Sequence, residues 1–404
     1  MKKSLILISI IFLLFLGISA VSADNNTASV VGDKTFDAIQ TALDNSNQSD
    51  TILLEGEYIG SGNVITVDKP ITIQATGNGA KLNAQKNSQI FNIKSDNVVL
   101  KDLELIKGYG DTRKGHQYGG AIEASGDNLT VDNCNFISNS ARYGGGIYSS
   151  GDNVEIINSR FSINTAEYTG AAFELDGNNN YVDGCIFINN EGYHAGGDVA
   201  WVGANGVLTN SKFESVKDSS KAPQFGGAVV WMGKNGRLTK SSFTGYSARN
   251  YGAAVYWKGA DGNLNYCIFE NNTSANDFAY WGNPSYVDCN YWGFNINSKE
   301  EFASQKLIYF DGSYASLQNW VNINVYNYSI EFRLNNGDKL SESMPNYQAH
   351  ILNSTYLLVD NGFYFIKPVS IVCGDVTTYS MYDGKSVKIY LRDIENEALP
   401  SKHL

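Results

Sequence analysis

Proline is scarce in this chain, six in 404 residues, and cysteine is scarcer still at five. The cysteines (Cys134, Cys185, Cys267, Cys289 and Cys373) are too few, and odd in number, for a disulfide-stapled scaffold. Basic residues are also short: 30 Lys and Arg against 41 Asp and Glu give a net charge of −11. A phosphate backbone demands the opposite balance, which excludes nucleic acid as a partner. Beyond the N-terminal leader no run is apolar enough for a bilayer core, which takes about 20 such residues in a helix. There is no nucleophile elbow, zinc-ligand spacing, phosphate loop or calcium loop. No catalytic residue, metal site or cofactor is therefore expected.

Glycine (40) and tyrosine (25) are abundant, a composition of turns and strands rather than helices. Lys2 and Lys3 precede an apolar run from Leu5 to Leu16, followed by Val21-Ser22-Ala23 and a polar segment. That order reads as a secretory signal peptide over residues 1–23, followed by a linker over 24–34. The expectation is a secreted, extracellular protein of the cell surface, without a transmembrane span once the peptide is removed.

The chain repeats itself. Gly126, Gly151, Gly177, Gly203, Gly233 and Gly259 are each followed ten residues later by Phe136, Phe161, Phe187, Phe213, Phe243 and Phe269. A seventh copy starting at Gly282 puts Trp292 in the Phe place. Among the first six copies the return from each Phe to the next Gly varies from 15 to 20 residues, so length changes are confined to one part of the unit. This is the signature of a coil with fixed strands and one adjustable loop.

Five residues after each glycine stand Val131, Ile156, Val182, Leu208, Leu238, Leu264 and Val287; four before it stand Ile122, Ile147, Phe173, Val199, Val229, Val255 and Phe278. Polar residues intervene, the alternation of strands with one buried face. A unit this short cannot close a core alone, so successive coils must stack like on like, about 4.8 Å apart. Stacking explains the column Cys134, Ser159, Cys185, Ser211, Ser241 and Cys267, in which the thiols are packing groups. It also explains Asn133, Asn158 and Asn210 at one corner and Asn139, Asn164, Asn190 and Asn272 at another, as amides bonded along a column.

Thr35 is a plausible N-cap for a helix with Phe36, Ile39 and Leu43 on one face, which would cover the open end of the stack. The expected fold is all-β: a right-handed parallel β-helix of about nine or ten coils over residues 35–293, a monomeric rod of order 45 Å. A linker over 294–316 leads to a small antiparallel immunoglobulin-like sandwich over 317–404, whose turns are marked by Asn335-Asn336-Gly337 and Asp360-Asn361-Gly362. The strand-like Val387 to Leu391 opens a further unit that stops at Leu404, as in a truncated chain.

One residue set reads as a binding site. Two positions before the glycine stand Trp201, Trp231 and Trp257, then Tyr280. Exposed, such a row is a sugar-stacking platform; its parity with the apolar positions gives the other reading, a buried ladder. A second row, Tyr118, Tyr143, Tyr168, Phe225 and Tyr251, precedes the glycine pairs and lines the return loops. Loop charges (Asp111, Arg113, Lys114 and His116; Glu191, His194 and Asp198; Lys217, Asp218 and Lys221) read as solvated residues.

The tetrapeptide GGAI at Gly119 to Ile122 and the F-x-x-N quartets at Phe136, Phe161, Phe187 and Phe269 resemble the motifs of polymorphic outer-membrane protein repeats. The layout, with Tyr291-Trp292-Gly293 closing the repeats, resembles the adhesin-like surface proteins of methanogenic archaea. Two coils depart, with Val216 and Tyr246 where Asn is expected. The resemblance implies contact with cell-surface glycans or with proteins of other cells. The alternative is a polysaccharide-degrading enzyme, a lyase or glycoside hydrolase of the pectin-lyase-like class, because parallel β-helices carry those activities too.

Overall fold

A computed structural model describes residues 31–390 apart from 111–114, 116, 217–221, 275–279, 283–285 and several short segments between 311 and 385. The leader at 1–23, the loop residues Asp111, Arg113, Lys114, His116, Lys217, Asp218 and Lys221, and Phe278, Cys373 and the chain from 391 lie outside the described residues.

The chain winds as a right-handed parallel β-helix. A 17-stranded sheet takes strands from every coil, mostly in pairs such as Thr130–Asp132 and Asn135–Ile137, whose joining corner sets Asn133 in the left-handed region. Asn158 and Asn210 repeat that corner, and each donates its side-chain amide to an aspartate of the preceding coil, Asp132 and Asp183. An 11-stranded second sheet takes one strand per coil from Ile65–Val67 to Ile308–Phe310, and only its last strand, Ser313–Tyr314, runs antiparallel. A third, narrower sheet joins Ser140–Tyr143, Thr165–Thr169 and Glu191–Gly192, and two further strands, Ser247–Ala248 and Thr273–Ser274, pair with each other.

Like stacks on like. Phe136, Phe161, Phe187, Phe213, Phe243 and Phe269 stand opposite one another in register. Their ring centroids lie 4.3–5.4 Å apart, and Trp292 closes the pile 4.9 Å from Phe269. Asn139, Asn164 and Asn190 are buried, each donating to a backbone carbonyl of the previous coil and accepting, in Asn164 and Asn190, from the asparagine before it. A buried amide so bonded avoids a penalty of about 1–3 kcal/mol per unmet group. Where Val216 interrupts the column, Tyr246 occupies the next place: its backbone N–H donates to Asn272 and its hydroxyl reaches back to Asp198. The cysteine and serine column is buried too, and burial pushes the thiols of Cys134, Cys185 and Cys267 up to about 12.

Both ends are closed. The helix Phe36–Asp44, capped by Thr35, buries Phe36, Ile39 and Leu43 over the first coils. At the far end the helix Lys299–Ser304, capped by Ser298, sets Phe302 between Trp292 and Trp320, 6.1 and 5.3 Å away. Ile308–Phe310 pairs in parallel with Tyr280–Gly282, so the second sheet continues into the stretch expected to be a linker. The tail is antiparallel: a hairpin of Val321–Val325 with Ile330–Leu334, then five strands paired in chain order.

The seventh coil corrects the repeat register. Val287 lies opposite Leu264 as expected, but Tyr280 faces Val255 and Gly282 faces Trp257. The corner between the second and long sheets is two residues shorter here, so spacing counted from the long sheet assigns the second-sheet strand wrongly.

Candidate functional site: the outer face of the second sheet

Trp201, Trp231 and Trp257 do not form a surface platform. Each is 0% exposed, and their indoles stack inside the rod at 4.5 and 4.6 Å with interplanar angles of 7° and 1°. The reason is the residue facing each ring. The column Leu129, Val154 and Asn180 becomes Gly206, Gly236 and Gly262 where the tryptophans stand, and a Cβ at any of these glycines would collide with the indole. Small opposite large fills the core without strain. Tyr280 belongs to the neighbouring backbone column, so the expected four-residue glycan row does not exist as such.

The second sheet's outward residues form a different face, on which Glu174, Ala200, Val230 and Tyr256 are themselves buried by neighbouring side chains. Along one outward column stand Glu123, Tyr148, Glu174, Ala200, Val230 and Tyr256, coil after coil. Beside it runs the second aromatic row of the sequence, now with His194 within it. Tyr118 and Tyr143 lie 5.4 Å apart, Tyr143 and Tyr168 5.4 Å, Tyr168 and His194 4.4 Å, His194 and Phe225 6.2 Å, and Phe225 and Tyr251 6.1 Å. The rings are half-buried, and Tyr168 is exposed. Tyr148 ties the two columns together, its ring 4.3 Å from Tyr118. Described cations here include Arg142 over Tyr143 at 5.4 Å, Lys258 over Tyr256 at 5.5 Å, and Arg249, which donates to the Tyr193 carbonyl beside the ring row.

Two carboxyl groups project from one strand. Phe173–Leu175 points Phe173 and Leu175 into the core and Glu174 outward, and Asp176 follows on the outer side. Tyr148 donates its hydroxyl to Asp176 Oδ2 at 2.7 Å, and Thr169 hydrogen-bonds Glu174. Glu174 is buried by its neighbours, and that burial pushes its carboxyl up to about 8, against the pull of Thr169 and with a further push from Asp176. Tyr148 is likewise raised, by burial and then by its bond to Asp176. Farther along, Gln89 donates to Glu123 Oε2 at 2.9 Å. Three buried polar atoms on or just behind this face have no hydrogen-bond partner: Gln89 Oε1, Asp176 Oδ1 and His194 Nδ1. Buried polar atoms are ordinarily paired, so three along one face mark acceptor capacity that the fold itself does not fill.

The charges of one return loop are dispersed. His194 enters the ring row, Glu191 joins the third sheet, and Asp198 turns inward to a place held by Ala172 and Ala228 in the adjacent coils. Asp198 accepts from Asn190 at 2.8 Å and from Tyr246. A crevice beside it, lined by Glu191, Ser215, Tyr246 and Ser247 among others, holds about one water by volume. Among the described residues no group of three or more His, Cys, Asp or Glu is placed to hold a metal ion.

No family model and no curated protein matches the chain. Solved structures that it is similar to include a PL6 alginate lyase in complex with a trisaccharide, at 12% identity and a TM-score of 0.46 over 71% of this chain and 64% of that one. ORF18 of Geobacillus virus E2 gives 12% identity and 0.46 over 91% and 75%, and pectate lyase Pel9A gives 18% identity and 0.39 over 83% and 87%. The chain thus spans less than two thirds of the first of these, and the functional reading rests on its own residues.

Proposed function

We propose that this protein is exported and binds an extended polysaccharide along the outer face of the second sheet. The observation that carries the reading is the coincidence, on one face, of the ring row Tyr118, Tyr143, Tyr168 and His194 with hydroxyls, carboxyls and three unpartnered buried polar atoms. Carbohydrate has apolar C–H faces and a rim of hydroxyls; aromatic surface suits the first and fixed donors and acceptors the second. Coils repeat about every 4.8 Å, so the same kind of contact is offered again and again along the rod, as a polymer requires. Display on a cell surface and processing of the polymer would both use this face.

The test is affinity electrophoresis of the full chain through gels containing neutral or acidic polysaccharides, beside a Tyr143→Ala/Tyr168→Ala variant checked by circular dichroism. Retardation by a polysaccharide that the folded variant loses supports the proposal. Equal mobility of both proteins in every gel would sink it.

A further inference from the structure

We infer that Glu174 and Asp176 act as an acid–base pair that hydrolyses a glycosidic bond of a polysaccharide held on this face. The inference rests on the binding reading and adds chemistry to it.

The geometry comes first. Glu174 leaves the strand Phe173–Leu175 and Asp176 the position just after its end, on the same outer side, and each is oriented by a hydroxyl from elsewhere: Thr169 for Glu174 and Tyr148, one coil earlier, for Asp176. Alternate residues of a strand point the same way, with Cα atoms roughly 6.8 Å apart. That places two carboxyls beside one bond of a bound chain, the arrangement glycoside hydrolysis needs. Tyr148, which donates to Asp176, also sets its ring 4.3 Å from Tyr118, so the aromatic row adjoins the pair. Three coils earlier on the same side, the buried Gln89 keeps Oε1 without a partner while its amide nitrogen donates to Glu123 and to the Tyr118 and Gly119 carbonyls.

The roles follow from the surroundings. Glu174 is the more buried and keeps its proton near neutral pH, so it is the acid. It gives that proton to the glycosidic oxygen as the C1–O bond breaks. Asp176 accepts the Tyr148 hydroxyl through Oδ2 and keeps Oδ1 for another donor, so it is the base. It takes a proton from a water molecule whose oxygen bonds to C1. The products are a new reducing end and a free hydroxyl, and exchange with solvent returns the proton to Glu174. Elimination, by contrast, needs a uronate carboxyl neutralised by a cation, which this pair of acids does not itself supply.

The experiment incubates the full chain with each polysaccharide that retards it, and measures new reducing ends and unsaturated products. Wild type should release reducing ends without unsaturation, with a rate that falls as pH rises through about 8. Glu174→Gln and Asp176→Asn should each lower the rate by at least about 100-fold while retaining retardation in the gel. Bound polysaccharide left intact by wild type would refute the acid–base pair while leaving the binding proposal standing. Unsaturated products, or turnover unchanged in both variants, would also refute it. Absence of retardation in the first place is the failure of the binding proposal, so the two are told apart.

Discussion

The Glu174 carboxyl makes a prediction that stability measurements alone can decide. In the unfolded chain its value is near the ordinary 4.5, and in the folded rod burial lifts it to about 8. Between those limits the native state holds a proton that the unfolded state has lost. Stability therefore declines as pH rises from about 4.5 to 8 and levels off above, because the slope follows the difference in bound protons. Each pH unit of difference corresponds to about 1.4 kcal/mol, so the whole window is worth up to roughly 5 kcal/mol. Glu174→Gln keeps the shape and removes the charge. Urea unfolding followed by tryptophan fluorescence at pH 5 and pH 8.5 should show wild type losing several kcal/mol more than the variant, about 3–5 by this reasoning. The comparison cancels the titration of other carboxyls. Parallel pH dependence in the two proteins would mean that Glu174 is ionised in the fold, and the acid role assigned to it would fall with that result.

Three further outcomes are expected. Trp231→Ala should cost about 3–5 kcal/mol in chemical unfolding, since it empties the middle of a fully buried indole pile, and should leave polysaccharide binding unchanged in the gel assay. Gly236→Ala, a change of one methyl, should destabilise by about 1–3 kcal/mol because its Cβ meets the Trp231 indole, and paired with Trp231→Leu it should cost less than the separate changes together. The thiols of Cys134, Cys185 and Cys267 should resist a thiol reagent until denaturant is added, and Cys267→Ser should melt close to wild type because Ser159, Ser211 and Ser241 already occupy that column.

The rod was legible because stacking forces the interior to repeat. Phenylalanine, the aliphatic pair and the asparagines recur at fixed offsets from a glycine, and through the coil of Phe269 the phenylalanine and aliphatic columns are lines of register partners. The tryptophans were harder, since parity alone leaves a ring in or out at the last position of a strand. A second signal lay in the sequence: the three coils that carry Trp201, Trp231 and Trp257 are the ones with Gly206, Gly236 and Gly262 five residues on. Bulk gained on one wall of the core with bulk lost on the other is the mark of packing. The Tyr280 assignment failed for another reason, the shorter corner of the seventh coil, which no count along the long sheet can detect. Glu174, Asp176 and Tyr148 were not singled out because outward positions are not bound by stacking and so leave no repeat to read.

That contrast separates architecture from chemistry in this molecule. An inward side chain must match its neighbours in the coils on either side, so an unusual residue there needs a local reason. Asp198 shows it: a carboxylate in a column of alanines, it is buried completely, and its two oxygens are met by Asn190 and Tyr246. Tyr246 itself stands where the asparagine column is broken by Val216, so the acid and the tyrosine repair one defect together. An outward residue is free of that requirement, and polar groups left with unmet capacity there are available to a ligand. Glu174 and Asp176 are on the second side of the divide: each is held by one hydroxyl, and Asp176 keeps an oxygen without a partner. Two acids of the same rod thus have different consequences when removed. Asp198→Ala leaves the Tyr246 hydroxyl buried without its acceptor and costs stability, whereas Glu174→Gln leaves the fold and removes a transferable proton.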